Sequence, residues 1–276
     1  MEAYTSFAKV YDTFMDETPY EEWCRRICDM IEKYGISRPG TPNKEQAFDK
    51  EDALLASERN LVLDLGCGTG TMTELLYSAG FDMIGVDNAE EMLAIAMEKR
   101  EEKDSQILYL LQDMRELELY STVGTVVSVC DSLNYLLEEE DLRIVFEQVD
   151  NYLYPGGIFI FDFNTVYKYE TVIGDTTIAE NRDECSFIWE NYYHPEEEIN
   201  EYDLTLFVEE EDGLYRKFTE THYQRGYSQE QMQKIAAQAG LEWVFSMDAD
   251  SCGDVNDCTE RIFAVVRECK KTMGQK

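Results

Sequence analysis

Three closely spaced glycines and a preceding carboxylate stand out in the segment NLVLDLGCGTGTM. The apolar run before the glycines predicts a strand, and the residues after them predict a helix. Dinucleotide-binding turns have the spacing G-x-G-x-x-G, but here Gly66, Gly68 and Gly70 alternate and Thr71 takes the last position. A P-loop is excluded because no Lys-Ser/Thr pair follows. Asp64, two residues before the first glycine, is poorly placed for a pyrophosphate, so the turn favours a cationic ligand without phosphate.

The residues after this turn alternate between strand and helix patterns. Apolar runs predict strands, and stripes with helical spacing between them predict helices. One of these helices would begin at a capping box formed by Asn88 and Glu91. Strands that alternate with helices indicate a parallel sheet covered on both faces. The predicted strands are 61–65, 81–87, 107–113, 122–131 and 158–164.

Different patterns precede and follow this core. An apolar stripe predicts a helix over 20–34, and the charged segment 36–60, with two prolines, predicts a linker. After residue 165 the segments alternate like half-buried strands, which predicts an antiparallel meander with a hairpin turn at Glu211–Gly213. The meander strands are expected at 186–193, 200–208 and 214–223.

The C-terminal part returns to the core pattern. Ser228 with Gln231 predicts a capping box for a last helix, and two strands would follow at 241–247 and 261–268. We therefore expect an α/β fold, with a Rossmann-like, seven-stranded, mostly parallel sheet, a helical N-terminal lid and an inserted antiparallel β meander. The expected units are 1–60 for the lid and linker, 61–165 with 226–276 for the core, and 166–225 for an insertion that covers the substrate site.

The composition argues against several classes of function. The formal net charge is −34, from 58 acidic and 24 basic residues, and so negative a surface repels the phosphate backbone of a nucleic acid. No apolar run is long enough to span a bilayer and the N-terminus has no signal-peptide pattern, so we expect a cytoplasmic protein. The eight cysteines form no CxxC pair and neither histidine lies near a cysteine pair, so we expect reduced thiols and no metal site.

The segment LDLGCGTG resembles the first motif of the class I S-adenosylmethionine-dependent methyltransferases. Further features of that family follow in order: GVD ending at Asp87, LQDM with Asp113, CDSLNYL over 130–136, and PGG followed by IFIFDFN. The resemblance covers 61–165 strongly and 225–268 more weakly. It implies S-adenosylmethionine as the cofactor, S-adenosylhomocysteine as the product, and glycines that lie against a nucleoside without phosphate.

The resemblance also implies roles for the cofactor-binding residues. Asp64 would orient the methionyl ammonium, and Asp87 would accept hydrogen bonds from both ribose hydroxyls. Asp113, with Met114 beside it, would accept from the adenine amino group, and Met92 would pack on the adenine unless it is simply core. For each carboxylate the structural alternative is a helix N-cap or a solvated turn. The whole expected set is Asp64, Gly66, Cys67, Gly68, Gly70, Asp87, Asn88, Met92, Asp113, Met114 and Cys130.

The side chains that would bind the methyl acceptor are less well defined. Candidates follow the carboxyl ends of parallel strands, where open α/β sheets bind ligands. Alternation along 214–223 places Glu220 and His222 on one face, and His222 would be a base, a substrate ligand or a hydrogen-bonded structural histidine. Arg225 would pair with a substrate carboxylate or with a nearby acid. The expected catalytic residues are His222, Asp131 and Tyr11, and the expected substrate residues are Tyr4, Tyr20, Asn134, Tyr135 and Arg225.

The expected reaction is an in-line methyl transfer to a nitrogen or oxygen atom of a small polar metabolite. The lid and meander resemble the arrangement in glycine/sarcosine-type N-methyltransferases, and the segment CDSLNY lacks the prolines of the motif for amino-group methylation of bases. Two alternatives stay open: a cofactor-binding sensor or partner protein without transferase activity, and a protein methyltransferase whose acidic surface attracts a basic partner. We expect a monomer or a homodimer.

Overall fold

Two sheets form the framework of the protein. The computed structural model describes residues 7–40, 55, 57–210 and 213–271. In chain order the strands are β1 Leu61–Leu65, β2 Asp82–Asp87, β3 Leu108–Leu111, β4 Val123–Ser128, β5 Leu153–Asn164, β6 Thr177–Asn181, β7 Cys185–His194, β8 Ile199–Glu209, β9 Tyr215–Arg225, β10 Leu241–Asp248 and β11 Arg261–Glu268.

The large sheet holds seven strands in the order β10-β11-β5-β4-β1-β2-β3. Strands β1 to β5 run parallel, whereas β11 pairs antiparallel with both β5 and β10. Because β1 pairs with β2 on one side and with β4 on the other, the order of the sheet reverses at β1. Open α/β sheets bind ligands at the carboxyl ends of the strands beside such a point. The seven-stranded, mostly parallel α/β fold expected from the sequence is confirmed.

Helices cover both faces of the large sheet. In chain order they are α1 Ala8–Phe14, α2 Tyr20–Tyr34, α3 Thr71–Ser78, α4 Glu90–Lys103, α5 Glu139–Tyr152 and α6 Gln229–Ala239. Buried apolar residues of α2, α3 and α4 pack on one face, and those of α5 and α6 pack on the other. Within the described residues, every helix is too short or too polar to span a lipid bilayer.

The small sheet is antiparallel, follows β5 in the chain and has the order β6-β7-β8-β9. Only three of its four strands are predicted from the sequence, because β6 is mostly exposed and shows no apolar alternation. The predicted turn Glu211–Gly213 lies between β8 and β9, with its first two residues outside the described part of the chain. Helix α1 packs on the buried face of this sheet, where Phe7 and Val10 meet Phe187 and Leu206.

The capping box predicted from Asn88 and Glu91 is wrong. Helix α4 begins at Glu90, and its N-cap residue, Ala89, makes no side-chain capping hydrogen bond. The carboxylate of Asp87 accepts the Ala89 N–H instead, at 2.9 Å. Asp87 therefore orders the chain that enters α4, and Asn88 is left exposed. The capping box of Ser228 and Gln231, in contrast, forms at α6 as predicted.

The strand predicted over 122–131 ends early, at Ser128. Cys130 and Asp131 adopt left-handed backbone conformations, with φ of 62° and 53°, which a strand cannot continue through. The carboxylate of Asp162, at the end of β5, accepts both of their N–H groups, at 3.2 and 2.8 Å. The chain therefore turns sharply where β4 reaches the carboxyl edge of the sheet.

Candidate active site

A cavity of about 530 Å³ opens at the carboxyl ends of β1, β2 and β4. We call the part around Asp64, Asp87 and Asp113 the carboxylate end, and the part around Tyr11, Tyr20 and Tyr135 the tyrosine end. The predicted site residues that line the cavity are Tyr11, Tyr20, Asp64, Gly66, Cys67, Gly68, Asp87, Asn88, Met92, Asp113, Met114, Cys130 and Tyr135.

The glycine turn after β1 forms one wall of this cavity. Gly66, Gly68 and Gly70 all have positive φ, at 79°, 53° and 75°, a region that side chains with a Cβ enter only at a cost. A Cβ on Gly66 would lie 2.7 Å from Ser132 Cβ, so this glycine is needed for close packing. A Cβ on Gly68 would meet nothing within 4 Å and would stand at the open cavity wall. Gly70 lies against the Tyr109 ring and does not line the cavity.

Asp64 lies at the floor of the carboxylate end. It is 1% exposed, and its Oδ2 accepts the hydroxyl of Thr73 at 2.6 Å. Burial raises the pKa of Asp64 to about 7, with the Thr73 hydrogen bond opposing and the charge of Asp87 adding to the rise. A cation that binds beside such a buried carboxyl stabilises its ionised form, because the carboxylate then has a partner of opposite charge.

Asp87 stands at the tip of β2 and orders the backbone around it. Its Oδ2 accepts the Gly68 N–H at 2.7 Å, and its Oδ1 accepts the Ala89 N–H at 2.9 Å. Burial raises the pKa of Asp87, and these backbone donors oppose the rise. A carboxylate can accept about four hydrogen bonds, so each oxygen keeps capacity for a further donor such as a ligand hydroxyl.

Asp113 is occupied by a neighbouring cation. It caps a 3₁₀ turn at Met114–Glu116, and the guanidinium and N–H of Arg115 donate to both of its oxygens at 2.6–3.2 Å. Arg115 also lowers the pKa of Asp113. The hydrogen bonds of Asp113 are those of a helix cap, which is the alternative to a ligand contact. Its place in the cavity wall is also the one expected of an adenine contact.

The tyrosine end is formed by uncharged groups. Burial raises the pKa values of Tyr11 and Tyr20 further above their usual range, with Cys130 as the next cause for each. Burial likewise raises the pKa of the Cys130 thiol. These side chains remain protonated at neutral pH, so they offer hydroxyl and thiol groups and aromatic faces to a ligand.

Asp131 points away from the cavity into an ion-pair network. Arg261 Nη2 donates to its Oδ1 at 2.6 Å and Gln224 Nε2 donates to its Oδ2 at 2.6 Å. Arg261 also pairs with Asp162 at 2.7 Å, so the network holds the left-handed corner after β4. The catalytic role predicted for Asp131 gains no support from this arrangement.

Asn134 and Arg225 also lie outside the cavity lining. The Asn134 side chain is buried, donates to the carbonyls of Asn164 and Arg225 at 2.9 and 2.7 Å, and accepts the Asn164 N–H at 2.9 Å. Arg225 donates to the Leu137 carbonyl at 3.0 Å. Both residues therefore join the small sheet to the large one, and Tyr4 lies outside the described residues.

His222 lies behind the wall of the tyrosine end. It is buried on β9, and its Nδ1 is 3.3 Å from the hydroxyl of Tyr135, which does line the cavity. The predicted alternation is confirmed here, because Glu220, His222 and Gln224 are buried while Thr221 and Tyr223 between them are exposed.

Helix α1 is anchored over the glycine turn by contacts that sequence reasoning missed. Lys99 Nζ lies 2.6 Å from Asp12 Oδ2, and the Thr69 hydroxyl donates to Asp12 Oδ1 at 2.7 Å. The three residues are up to 87 positions apart in the sequence. No local pattern marks such a contact, since each residue alone reads as an ordinary polar surface position.

Known proteins match this chain along its length. The family model for a methyltransferase domain matches residues 62–157. A Geobacillus sp. (strain WCH70) protein named "Putative methyltransferase GWCH70_2453" is 34% identical over 266 residues, which is 96% of this chain and 99% of that protein. The chain belongs to the class I S-adenosylmethionine-dependent methyltransferases.

Two further relatives define how far the likeness extends. The crystal structure of an S-adenosylmethionine-dependent methyltransferase from Clostridium acetobutylicum ATCC 824 has 28% identity and a TM-score of 0.79, and covers 97% of this methyltransferase and 100% of that chain. A glycine/sarcosine N-methyltransferase from Aphanothece halophytica is 33% identical over 103 residues, 37% of this chain and 39% of that protein.

The cavity fits the cofactor of this family, S-adenosylmethionine. Its volume lies in the range of small-molecule sites, and the open space over Gly68 is what a ligand against the turn requires. The carboxylate end would hold the cofactor: Asp64 would face the ammonium group and Asp87 the ribose hydroxyls.

Proposed function

We propose that this methyltransferase methylates a nitrogen or oxygen atom of a small polar metabolite in the cytoplasm, as a monomer or a homodimer. When bound, S-adenosylmethionine supplies a methyl carbon that an acceptor lone pair attacks while the carbon–sulfur bond breaks and its electrons stay on sulfur. The protein contributes alignment and the exclusion of water. Asp64, Gly66, Cys67, Gly68, Asp87, Asn88, Met92, Asp113, Met114 and Cys130 are the proposed cofactor contacts, and Tyr11, Tyr20 and Tyr135 the proposed acceptor contacts.

One observation carries the proposal: α1 lies at the tyrosine end, where Tyr11 lines the cavity, and the small sheet packs behind it. Besides the contacts of Asp12 on α1 with Lys99 and Thr69, the segment after α1 contacts the turn between β6 and β7, where Arg182 donates to Asp16 at 2.9 Å. The Phe7 N–H at the start of α1 donates to Glu220 on β9 at 3.0 Å. Contacts on both sides of the cavity make α1 a roof, and a roofed cavity admits a small acceptor more readily than a polymer.

The charge of the chain supports the same conclusion. With a net charge of −34, the surface repels nucleic acid, and nucleic-acid enzymes carry basic surfaces for phosphate contacts. A small acceptor needs no such surface. The glycine/sarcosine N-methyltransferase similarity supports a small acceptor as well, although its matching segment spans less than half of either chain.

A labelling experiment tests this function. The protein is incubated with methyl-labelled cofactor and an unfractionated cell extract, and the products are separated by ultrafiltration. The filtrate is resolved by chromatography, so that label is counted only in compounds other than the cofactor, and extract without added protein gives the background. We expect label in the low-molecular-weight filtrate, and none when Asp87→Ala replaces the wild type. Label found in neither fraction, with cofactor binding confirmed by calorimetry, would contradict the proposal.

A protein acceptor is the second candidate, and the acidic charge is the observation that favours it. A basic partner would be attracted to this surface over a distance of about one Debye length, roughly 8 Å at physiological salt. Label that stays with the retained protein fraction, and that salt suppresses, would favour this reading over a metabolite.

A further inference from the structure

A chain of polar groups leads from the tyrosine end of the cavity into the interior of the small sheet. Tyr135 lines the cavity, and its hydroxyl lies 3.3 Å from His222 Nδ1. On the far side of the ring, His222 Nε2 lies 3.3 Å from Glu220 Oε2. The three side chains form a continuous path from a residue that lines the cavity to a buried carboxylate.

The position of the imidazole is fixed by packing. The His222 side chain is 0% exposed, and its ring stacks on Tyr202 with centroids 4.9 Å apart and planes 6° from parallel. The Tyr202 hydroxyl lies 2.6 Å from the Tyr135 hydroxyl. Among the described residues, the titratable groups that face His222 are Glu220 on its own strand, Tyr202 on β8 and Tyr135 on the 3₁₀ turn after β4.

Proton transfer through these groups requires one neutral form of the His222 ring. Glu220 Oε1 accepts the Phe7 N–H at 3.0 Å, as a carboxylate does. An ionised Glu220 can only accept a hydrogen bond, so a proton path through the ring requires the proton on Nε2, beside Glu220 Oε2. Nδ1 is then the bare nitrogen, and it accepts the Tyr135 hydroxyl. In this form the ring is ready to receive a proton at Nδ1, the atom nearest the cavity.

We propose that Tyr135, His222 and Glu220 form a relay that removes a proton from the methyl acceptor, and that the acceptor is a small amine which enters as an ammonium ion. The relay rests on the proposed function and specifies its substrate class. An ammonium proton passes to the Tyr135 oxygen as the Tyr135 proton passes to His222 Nδ1. The positive charge moves from the acceptor to the imidazole, where Glu220 balances it, and the amine keeps a free lone pair.

The chemistry of the relay favours an amine over a hydroxyl. The proton of an ammonium ion is labile enough for an imidazole to accept it. An aliphatic hydroxyl holds its proton far more tightly, and a histidine is a poor base for it. The aromatic rings of Tyr11 and Tyr20 also suit a cation, because the ring faces attract positive charge.

The distances of 3.3 Å are within reach for proton transfer after a ligand closes the site. Catalytic hydrogen bonds are often long before the reacting complex forms. His194 provides an internal contrast: its Nε2 lies 3.0 Å from Glu201 on the small sheet, but its side chain is 44% exposed and it does not line the cavity. The two histidines of the chain therefore each face a carboxylate, and only one of these pairs leads to the cavity.

The substrate class is tested with the labelled-cofactor assay on a divided metabolite filtrate. One half is treated with an amine-selective acetylating reagent, and the other half is left untreated. We expect label only in the untreated half. Equal labelling of both halves would overturn the amine proposal while leaving the proposed function intact, whereas no label in either half would contradict the proposed function itself.

The relay is tested by His222→Gln with His194→Gln as the matched control. We expect His222→Gln to slow labelling of the filtrate by about 100-fold or more at neutral pH, and His194→Gln to leave it unchanged. S-adenosylhomocysteine affinity in calorimetry should stay the same for both. The deficit of His222→Gln should shrink as the pH rises, because the amine then loses its proton in solution. A deficit that is constant with pH would indicate a merely structural histidine.

A spectroscopic measurement tests the relay without any acceptor. The His194→Gln variant leaves His222 as the only histidine, so its ¹⁵N signals can be assigned directly. We expect a protonated Nε2 and a bare Nδ1 in the neutral form, and a change of both signals in Glu220→Gln. A protonated Nδ1 in the parent, or signals that Glu220→Gln leaves unmoved, would overturn the relay.

Discussion

The two ends of the cavity differ in how the chain supplies them. The carboxylate end draws its side chains from one continuous stretch, 64–114, in which each carboxylate lies near the carboxyl end of a strand or just after it. The tyrosine end combines α1, α2, the turn after β4 and, behind it, the small sheet, and the Phe7–Glu220 hydrogen bond there spans 213 positions. The first end is fixed by local sequence and the large sheet, whereas the second exists only when distant parts of the chain pack together.

The difference also concerns charge. The carboxylate end carries ionisable oxygens that meet the cavity directly. At the tyrosine end the groups at the wall are neutral, and the ionisable pair of His222 and Glu220 lies one side chain behind it. Fixed carboxylates suit the cofactor, which is the same in every turnover. A neutral wall backed by the proposed relay suits an acceptor that must lose a proton during the reaction.

The largest effect is expected when a carboxylate is removed from the carboxylate end. Asp87→Ala should weaken S-adenosylhomocysteine binding by at least about 100-fold, because a hydrogen bond to a charged group contributes about 1.5–3 kcal/mol and two are expected. The variant also loses the acceptor of the Gly68 and Ala89 N–H groups, so its Tm should fall. Asp82→Ala, at the exposed start of the same strand, is the control. Calorimetric affinity of Asp87→Ala within threefold of wild type would contradict the assignment.

Gly68→Ala separates backbone strain from ligand contact. Gly68 and Gly156 have positive φ, at 53° and 75°, and a Cβ on either would meet nothing within 4 Å. Both alanine variants should lose a similar amount of stability, about 1–2 kcal/mol. Only Gly68 lines the cavity, so only Gly68→Ala should weaken S-adenosylhomocysteine binding, by at least about tenfold. Equal affinities of the two variants in calorimetry would show that the turn does not contact the ligand.

The same contrast explains which features the sequence predicts. Asp64, Asp87 and the glycines are predicted because a strand, a turn and a helix are adjacent in the chain and place them without help from distant residues. Asn134 is predicted near the acceptor because it is a polar residue after a strand end, and Arg225 because it could pair with a substrate carboxylate or a nearby acid. Asn134 instead bonds to the Asn164 carbonyl. Arg225 bonds to the Leu137 carbonyl and pairs with Glu198 at 3.4 Å. A polar side chain at a strand end can face a cavity or a carbonyl, and only the packed structure distinguishes the two.

Long-range contacts set the limit in the fold as well. The central strands are predicted because they are buried and apolar. Strand β6 is not predicted, since its residues TIAEN are mostly exposed and show no alternation. It forms a strand by pairing antiparallel with β7. The early end of β4 depends on Asp162, 31 and 32 positions away from the two residues whose N–H groups it accepts. Local propensity cannot contain that information.

The pH dependence of binding sharpens the role of Asp64 at the carboxylate end. Its pKa is raised from 3.8 to about 7, so at intermediate pH the folded protein keeps a proton on Asp64 that the unfolded chain loses. The protonated carboxyl therefore stabilises the fold at low pH, and this stabilisation is lost as the pH rises through about 7. Binding of an ammonium favours the ionised form. S-adenosylhomocysteine affinity should therefore rise about fivefold between pH 6 and pH 7, with proton release in calorimetry. Asp64→Asn should bind weakly and show no such rise; a pH-independent wild type would contradict the pairing.

The smallest expected effect concerns the roof that joins the two ends. Lys99→Met removes the partner of Asp12, and a partly exposed pair of this kind contributes only about 0.2–1 kcal/mol. We expect S-adenosylhomocysteine to dissociate about twofold to fivefold faster in stopped-flow measurements, because α1 opens more readily. Arg143→Met is the matched control, since Arg143 pairs with Glu140 and Glu147 on α5, away from the cavity lining. If both variants release the ligand at the wild-type rate, α1 does not control access to the cavity.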